Sequence, residues 1–384
     1  MGNTIVKWTL SVFVGIALVT GNVKAQTIIL TSDQQLNDLT DPDKKIDNSL
    51  GYDSRVESLR DVCKRGKSYG SKELIVAFDE FFRQYRTDKN TERNLTPDMD
   101  EYVDKIRIIS DFVSKQDMGL CLSLLSPLEL GLAYKNQTGN SGRWLAYKVG
   151  LRNPRTGQFS LQMWQQLFWT NNKGQTPVKL KGVKAYAFKE KVVSTSMRSV
   201  NPEDIVLLKN VKYEVIDSIG VTEQGTIPMK RLRIYGDGTQ CVGSDRVMVM
   251  LEYETQEMDY FDPDAPGFLN NLLKKYHDKK VNLTSLYSDE MHIQQDWFYF
   301  GHHEEGQFAE RYLTENMARR YTEKYNQKFD DRYMLYFAYG APIFRPTTDA
   351  VVNIQYVLGE TPEAIHRTFL LRDRYYRMLN DDVV

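Results

Sequence analysis

Lys72-Glu-Leu-Ile-Val-Ala-Phe-Asp79-Glu80, Thr96-Pro97-Asp98 and Leu120-Cys-Leu-Ser-Leu-Leu-Ser-Pro127 are the three pieces whose reading decides the fold. The first is a short apolar run with β-branched residues that ends in two carboxylates, and that length favours a buried strand over a helix. The second supplies a hydroxyl cap, a proline at the first helical position and an acid in the first turn. Tyr102, Ile106, Ile109, Phe112 and Val113 then keep helical spacing until Gly119 stops it. The third piece is a second buried strand. A strand, a helix and a strand in succession imply a parallel sheet or barrel.

On the C-terminal side the pattern changes. Trp144-Leu-Ala-Tyr-Lys-Val149, Phe159 to Trp169, Val183 to Phe188 and Tyr213 to Ile216 have strand character, broken by turns such as Asn153-Pro-Arg-Thr-Gly157. The α/β rhythm resumes with Arg246-Val-Met-Val-Met-Leu-Glu-Tyr253, read as a third buried strand. A helix follows Asp262-Pro263-Asp264 and carries Phe268, Leu269, Leu272, Leu273 and Tyr276. Val281 to Tyr287 is a fourth strand, running into Ser288-Asp289-Glu290. Helix is expected from Gly306 to about Asn326 and again from Pro362 to Val384. The expected layout is a lead-in at 26–66, the first part of a β/α barrel at 67–138, a mostly β insertion at 139–243 and a continuation of the barrel at 244–384. Four β-α units fall short of the eight of a closed (β/α)8 barrel, so the expected fold is α/β, a barrel of that type left incomplete in this chain.

Composition narrows the class. With 41% hydrophobic, 12% aromatic and 26% charged residues in 384, the chain has an ordinary folding composition, which excludes disordered and collagen-like readings. Fifty basic and fifty-one acidic residues give a net charge of −1, so no global field draws the protein to nucleic acid. Three cysteines make no disulfide framework. Residues 1–25 are read as a secretory signal peptide: a weakly basic start, the apolar run Trp8 to Val19, and Val23-Lys-Ala25 before the cleavage point. That run is shorter than the roughly 20 residues a membrane span needs. The expected protein is exported, periplasmic or secreted, without a membrane span.

The informative regularity is what each strand runs into. The first ends in Asp79 and Glu80, the second leads to Glu129, the third to Glu254 and Asp259, and the fourth to Asp289 and Glu290. The C-terminal ends of parallel strands form the active face of such folds. Glycoside hydrolysis needs one carboxyl group to protonate the leaving oxygen and a second to act as base or nucleophile. Burial and like-charged neighbours raise the acid's pKa so that it keeps its proton near neutrality. Any one of these acids taken singly is better explained by capping a helix or by pairing with Arg83, Arg86 or Arg143. Taken together they mark Glu290 and Asp289 as catalytic candidates, with Asp79, Glu80, Glu129 and Glu254 as candidate substrate-binding groups.

After the fourth strand, Trp297, Phe298, Tyr299 and Phe300 offer flat faces of the kind that pack on sugar rings. His292, Asp296, His302 and His303 offer polar edges for hydroxyl groups. A buried aromatic core is the competing account of that run. The histidines lack the two-His helical spacing of zinc sites, and no metal ligand is assigned. Calcium is the ion that oxygen-rich strand ends could hold, and no other cofactor is called for. Phosphate-binding glycine loops, serine elbows and Cys-His pairs do not occur.

Met258-Asp-Tyr-Phe-Asp-Pro-Asp-Ala265, a helix, and then Ser285-Leu-Tyr-Ser-Asp-Glu290 resemble a stretch of the large exported bacterial glycosidases related to the family 106 α-L-rhamnosidases. Arg372-Asp-Arg-Tyr-Tyr-Arg-Met-Leu379 is similar to a helix that follows in those proteins. The resemblance covers roughly residues 245–384 and, more loosely, 70–130. It implies that Glu290 is the general acid, with Asp289 beside it, and that cleavage inverts the anomeric centre through a water activated by a second Glu on a later strand. It also implies an association with calcium. The chain ends before a residue matching that second Glu, so it is expected to be the front portion of a longer product.

The first functional expectation is therefore an exported glycoside hydrolase acting on a polysaccharide or oligosaccharide. A carbohydrate-binding protein with the same fold and no chemistry is the alternative from another class. A polysaccharide lyase using His302 or Tyr299 as base is a third.

Overall fold

The computed structural model describes residues 26–48, 55–78, 93–125, 127–165, 178–222, 225–236, 240–288, 307–310, 313–338 and 354–383. The expected signal peptide at 1–25 lies outside them.

The N-terminal part opens with β1 (Gln26–Leu30) and α1 (Asp33–Leu39), whose cap Ser32 accepts a hydrogen bond from the Gln35 amide. A small antiparallel pair follows, β2 (Lys45–Asp47) and β3 (Val56–Ser58), and then α2 (Leu59–Ser68), entered through a Ser58–Asp61 capping box. Next come β4 (Glu73–Phe78), α3 (Asp100–Lys115), β5 (Gly119–Leu122) and α4 (Pro127–Thr138). The strands make a parallel sheet in the order β1, β4, β5 and a late-arriving fourth strand, all pointing the same way. β4 buries Leu74, Val76, Ala77 and Phe78, because helices cover both faces of a parallel sheet. The lead-in expected at 26–66 thus holds an edge strand of this sheet.

The middle of the chain is antiparallel. β6 (Arg143–Leu151), β7 (Phe159–Trp164) and β8 (Lys179–Phe188) are followed by the short β9 (Lys191–Val192), β10 (Met197–Ser199) and β11 (Val206–Leu207). A long hairpin, β12 (Lys212–Thr222) and β13 (Gly225–Gly236), leads to β14 (Arg246–Glu254). β14 lies between β8 and β6 and is antiparallel to both. It was the strand expected third in the parallel set, and the reason for the difference is physical. Val247, Val249 and Leu251 enter the core shared with the β12-β13-β7 sheet, while Met248 and Met250 enter the core on the opposite face. A strand buried on both faces is a continuous apolar run whether its neighbours are parallel or antiparallel.

α5 (Ala265–Asp278) then returns the chain to the parallel sheet, where β15 (Leu283–Leu286) pairs with β5. β16 (Gln307–Glu310) joins the five-stranded sheet beside β6, and α6 (Glu315–Tyr325) starts at the Thr314 cap. The helix expected from Gly306 is therefore a strand followed by a shorter helix. A 3-10 segment (Asp331–Phe337), β17 (Gln355–Val357) and α7 (Pro362–Val383) complete the second face of that sheet. Among the described residues the parallel sheet is open, with β1 at one edge and β15 at the other.

A partly buried charge network ties the antiparallel sheet to the 3-10 segment. Arg143 meets Asp331 through two hydrogen bonds of 3.1 Å, reaches the Leu313 carbonyl at 2.9 Å and pairs with Glu252 at 2.9 Å. Lys184 adds contacts to Asp331 at 2.9 Å and Glu252 at 3.2 Å. Burial pushes both carboxyls up, but the Arg143 and Lys184 charges and hydrogen bonds outweigh it and hold Asp331 and Glu252 below their ordinary values. A carboxyl lowered on folding stabilises the fold above its unfolded pKa, and that contribution disappears as pH falls through the folded pKa. Unfolding measured against pH should then show Asp331→Asn much less stable than the parent at neutral pH, with the gap closing as the pH falls below the ordinary aspartate range. A gap independent of pH would contradict the network.

Candidate active site

Parallel strands place their C-terminal ends on one edge of the sheet, and here that edge is built from Leu30, Phe78, Leu122 and Leu286 with the residues that follow them. The edge is tied together laterally. The Phe78 amide donates to the Ser123 hydroxyl at 2.9 Å, the Tyr287 amide to the Leu122 carbonyl at 2.9 Å, and the Ser288 hydroxyl to the Leu125 carbonyl at 3.2 Å. β4 and β15 flank β5, which puts their axes roughly 10 Å apart. Phe78 is the residue before Asp79-Glu80, and Ser288 is the residue before Asp289-Glu290. Asp79, Glu80, Asp289, Glu290, His292, Trp297, Tyr299, His302 and His303 themselves lie outside the described residues.

The two other candidates are described, and neither stands open at this edge. Glu129, in the first turn of α4, is buried and forms an ion pair with Arg93. The Arg93 guanidinium lies 4.5 Å from the centre of the Phe78 ring, so one side chain links α4 to the end of β4. Burial, then the Glu129 charge, pushes the Tyr102 phenol up, and Tyr276 is displaced the same way. Arg93 carried no signal in the sequence: 36 residues separate it from Glu129, and only the return of the chain beside α1 brings them together. That return is fixed by the Asp33 carboxylate, which accepts from the Leu95 amide at 3.2 Å.

Glu254 sits at the end of β14 in the antiparallel sheet. Lys135 and Lys181 hold it by hydrogen bonds and keep its carboxyl below the usual range. Its expected place among parallel strand ends is corrected with β14. Asp259 and Asp262 are likewise engaged by neighbouring donors. Asp259 accepts from Thr314 at 3.0 Å, Asn316 at 2.8 Å and the Phe261 amide at 3.1 Å, and burial raises its pKa despite those bonds. Asp262 accepts from the Tyr134 hydroxyl and from Asn140 at 2.5 Å. The acid-rich segment 257–262 thereby joins α4, the start of β6 and α6.

Among the described residues, no group of three or more His, Cys, Asp or Glu is placed to hold a metal ion. No described helix is long and apolar enough to cross a membrane.

Among the described residues, fold and edge together define a mixed α/β chain, with a four-stranded parallel sheet and separate antiparallel sheets. No family model matches the sequence, and no curated protein matches it. Among solved structures it is similar to a rhamnosidase from Novosphingobium sp. PP1Y, at 10% identity and a TM-score of 0.31, over 80% of this chain and 40% of that one. The chain thus spans well under half the length of that protein, and a likeness this loose assigns no role to any residue.

Proposed function

We propose that the chain is an exported glycoside hydrolase, or the front part of one, and that Glu290 protonates the leaving oxygen with Asp289 beside it. The observation that carries this reading is the shared edge: β4 and β15 lie on either side of β5, and in sequence a pair of acids follows β4 directly and β15 after Tyr287 and Ser288. In this reading Asp79 and Glu80 face Glu290 across the substrate, His292, His302 and His303 bind hydroxyl groups, and Trp297 and Tyr299 pack on a sugar ring. An α-L-rhamnoside is the first substrate to try, and calcium at the acid-rich edge is part of the same proposal. With Glu290→Gln, hydrolysis of an alkyl glycoside should fall by about 10²–10⁴-fold while the glycoside still binds. Unchanged turnover would end the assignment.

A second reading, a carbohydrate-binding protein without chemistry, is favoured by one fact. The two described acids of the candidate set, Glu129 and Glu254, are both engaged by cations. It predicts glycan retention with no release of reducing ends.

A further inference from the structure

β7, β13 and β12 form a three-stranded sheet with β13 in the middle. On one side Leu161, Met163, Leu232 and Ile234 enter the buried core. Side chains alternate along a strand, so Ser160 and Gln162 of β7 and Arg231, Arg233 and Tyr235 of β13 lie on the outward side. The pairing register sets them in rungs. Tyr235 stands between Ser160 and Lys212, and Arg233 between Gln162 and Glu214. Ser160, Gln162, Lys212 and Glu214 are all exposed.

Arg233 lies flat across this face. Its Nε donates to the Ser160 hydroxyl at 3.0 Å and its Nη1 to Glu214 at 2.8 Å, and its guanidinium carbon is 4.9 Å from the centre of the Tyr235 ring. Contacts on both flanking strands and on its own strand fix the guanidinium, yet 42% of the side chain stays exposed. Among the described residues no hydrogen bond engages Nη2. A fork held this way presents its remaining N–H groups in a set direction, the geometry that recognises a carboxylate. On the neighbouring rung Lys212 forms no ion pair among the described residues. The outward positions of the three strands carry the cations Lys212, Arg231 and Arg233 against one acid, Glu214.

We propose that this face binds an acidic polysaccharide, a chain of uronate sugars laid along β13. A sugar carboxylate meets the Nη2 edge of Arg233 and the Lys212 ammonium, and the C–H side of a ring packs on Tyr235. Charge decides the class, because the excess of cations favours an anionic occupant over a neutral glycan. Glu214 narrows it further. Beside Arg233 it accepts sugar hydroxyl groups, and it stands against a chain that carries a phosphate at every step. Trp164 is two rungs from Tyr235 on the same side, about 14 Å away, so the face suits a chain of sugars rather than a single ring. This site goes beyond the hydrolase reading and does not rest on it.

Binding of the full chain to immobilised polygalacturonate, dextran, polyglutamate and single-stranded poly-dT tests the proposal. Polygalacturonate should be retained, and more tightly than the other three. Dextran has sugar without charge, polyglutamate has carboxylates without sugar, and poly-dT has phosphates with bases. Arg233→Gln should weaken retention about tenfold, the worth of one hydrogen bond to a charged group. Gln162→Glu sets a carboxylate beside Arg233 at an exposed position and should weaken it about fivefold. Lys230→Gln removes a cation from the opposite side of the same hairpin, where it pairs with Asp217, and should change nothing. Retention unchanged by both Arg233→Gln and Gln162→Glu would overturn the proposal. So would no binding to polygalacturonate, equal or tighter binding to any other probe, or an equal loss in Lys230→Gln. Should Arg233→Gln fail to fold, Gln162→Glu decides alone. Because the measurement reads retention and not cleavage, its failure is distinct from failure of the catalytic assignment.

Discussion

Arg143→Met should lower the folding stability by about 3–5 kcal/mol, read as a drop in the urea midpoint with little change in slope. Arg143 is a strand residue whose side chain reaches across the sheet face to a segment 188 positions away. Its guanidinium serves two carboxylates and a backbone carbonyl at once, with 13% of the side chain exposed. Methionine matches much of the volume and removes the charge, so Asp331 and Glu252 would be left facing each other with Lys184 alone between them. Removing one member of a largely desolvated charge network costs more than the intact network contributes, because the remaining charges stay partly desolvated. Arg143→Lys keeps the charge and loses the fork that meets both Asp331 oxygens, so it should fall between the parent and Arg143→Met. A loss below about 1 kcal/mol for Arg143→Met would mean that the network is solvated in the working protein.

Gly131→Ala should also destabilise, by about 3 kcal/mol, although the same change at an exposed helical position ordinarily stabilises by up to about 1 kcal/mol. Gly131 lies on α4 where the helix crosses the chain leaving β14. A β-carbon there would stand 1.4 Å from the Gln256 carbonyl oxygen and 2.9 Å from the Glu257 amide nitrogen. These are backbone atoms, and they are held: the Thr255 amide donates to Gly142 at 3.1 Å and the Gly142 amide to Glu257 at 2.6 Å. Relief would require α4 to move off the segment that carries Glu257, Asp259 and Asp262, with loss of the Tyr134–Asp262 bond. Thermal unfolding of the alanine variant decides the sign. A raised midpoint would show that α4 does not approach this closely.

What the chain discloses before folding is uneven, and the reasons are specific. β4, α3 and β5 are legible because short β-branched runs and one strongly periodic helix bracket each other within 50 residues. β15 and α5 are legible on the same grounds. β1 escapes notice because five residues, Gln26 to Leu30, alternate for too short a stretch. β14 is seen as a strand but not as an antiparallel one, since burial on both faces removes the alternation that would have distinguished it. At the site, acids after strand ends are visible in sequence, but their partners are not. Glu129 meets Arg93 and Glu254 meets Lys135 and Lys181 only through tertiary contacts, and no spacing announces them.

The central claim, that Glu290 hands a proton to the departing oxygen at the shared strand edge, is tested most directly by varying the leaving group. A dinitrophenyl glycoside departs without protonation, whereas an alkyl glycoside does not. Glu290→Gln should therefore cleave the dinitrophenyl substrate at close to the parent rate and the alkyl substrate about 10²–10⁴-fold more slowly. Equal losses on both substrates, or no loss on either, would contradict the account.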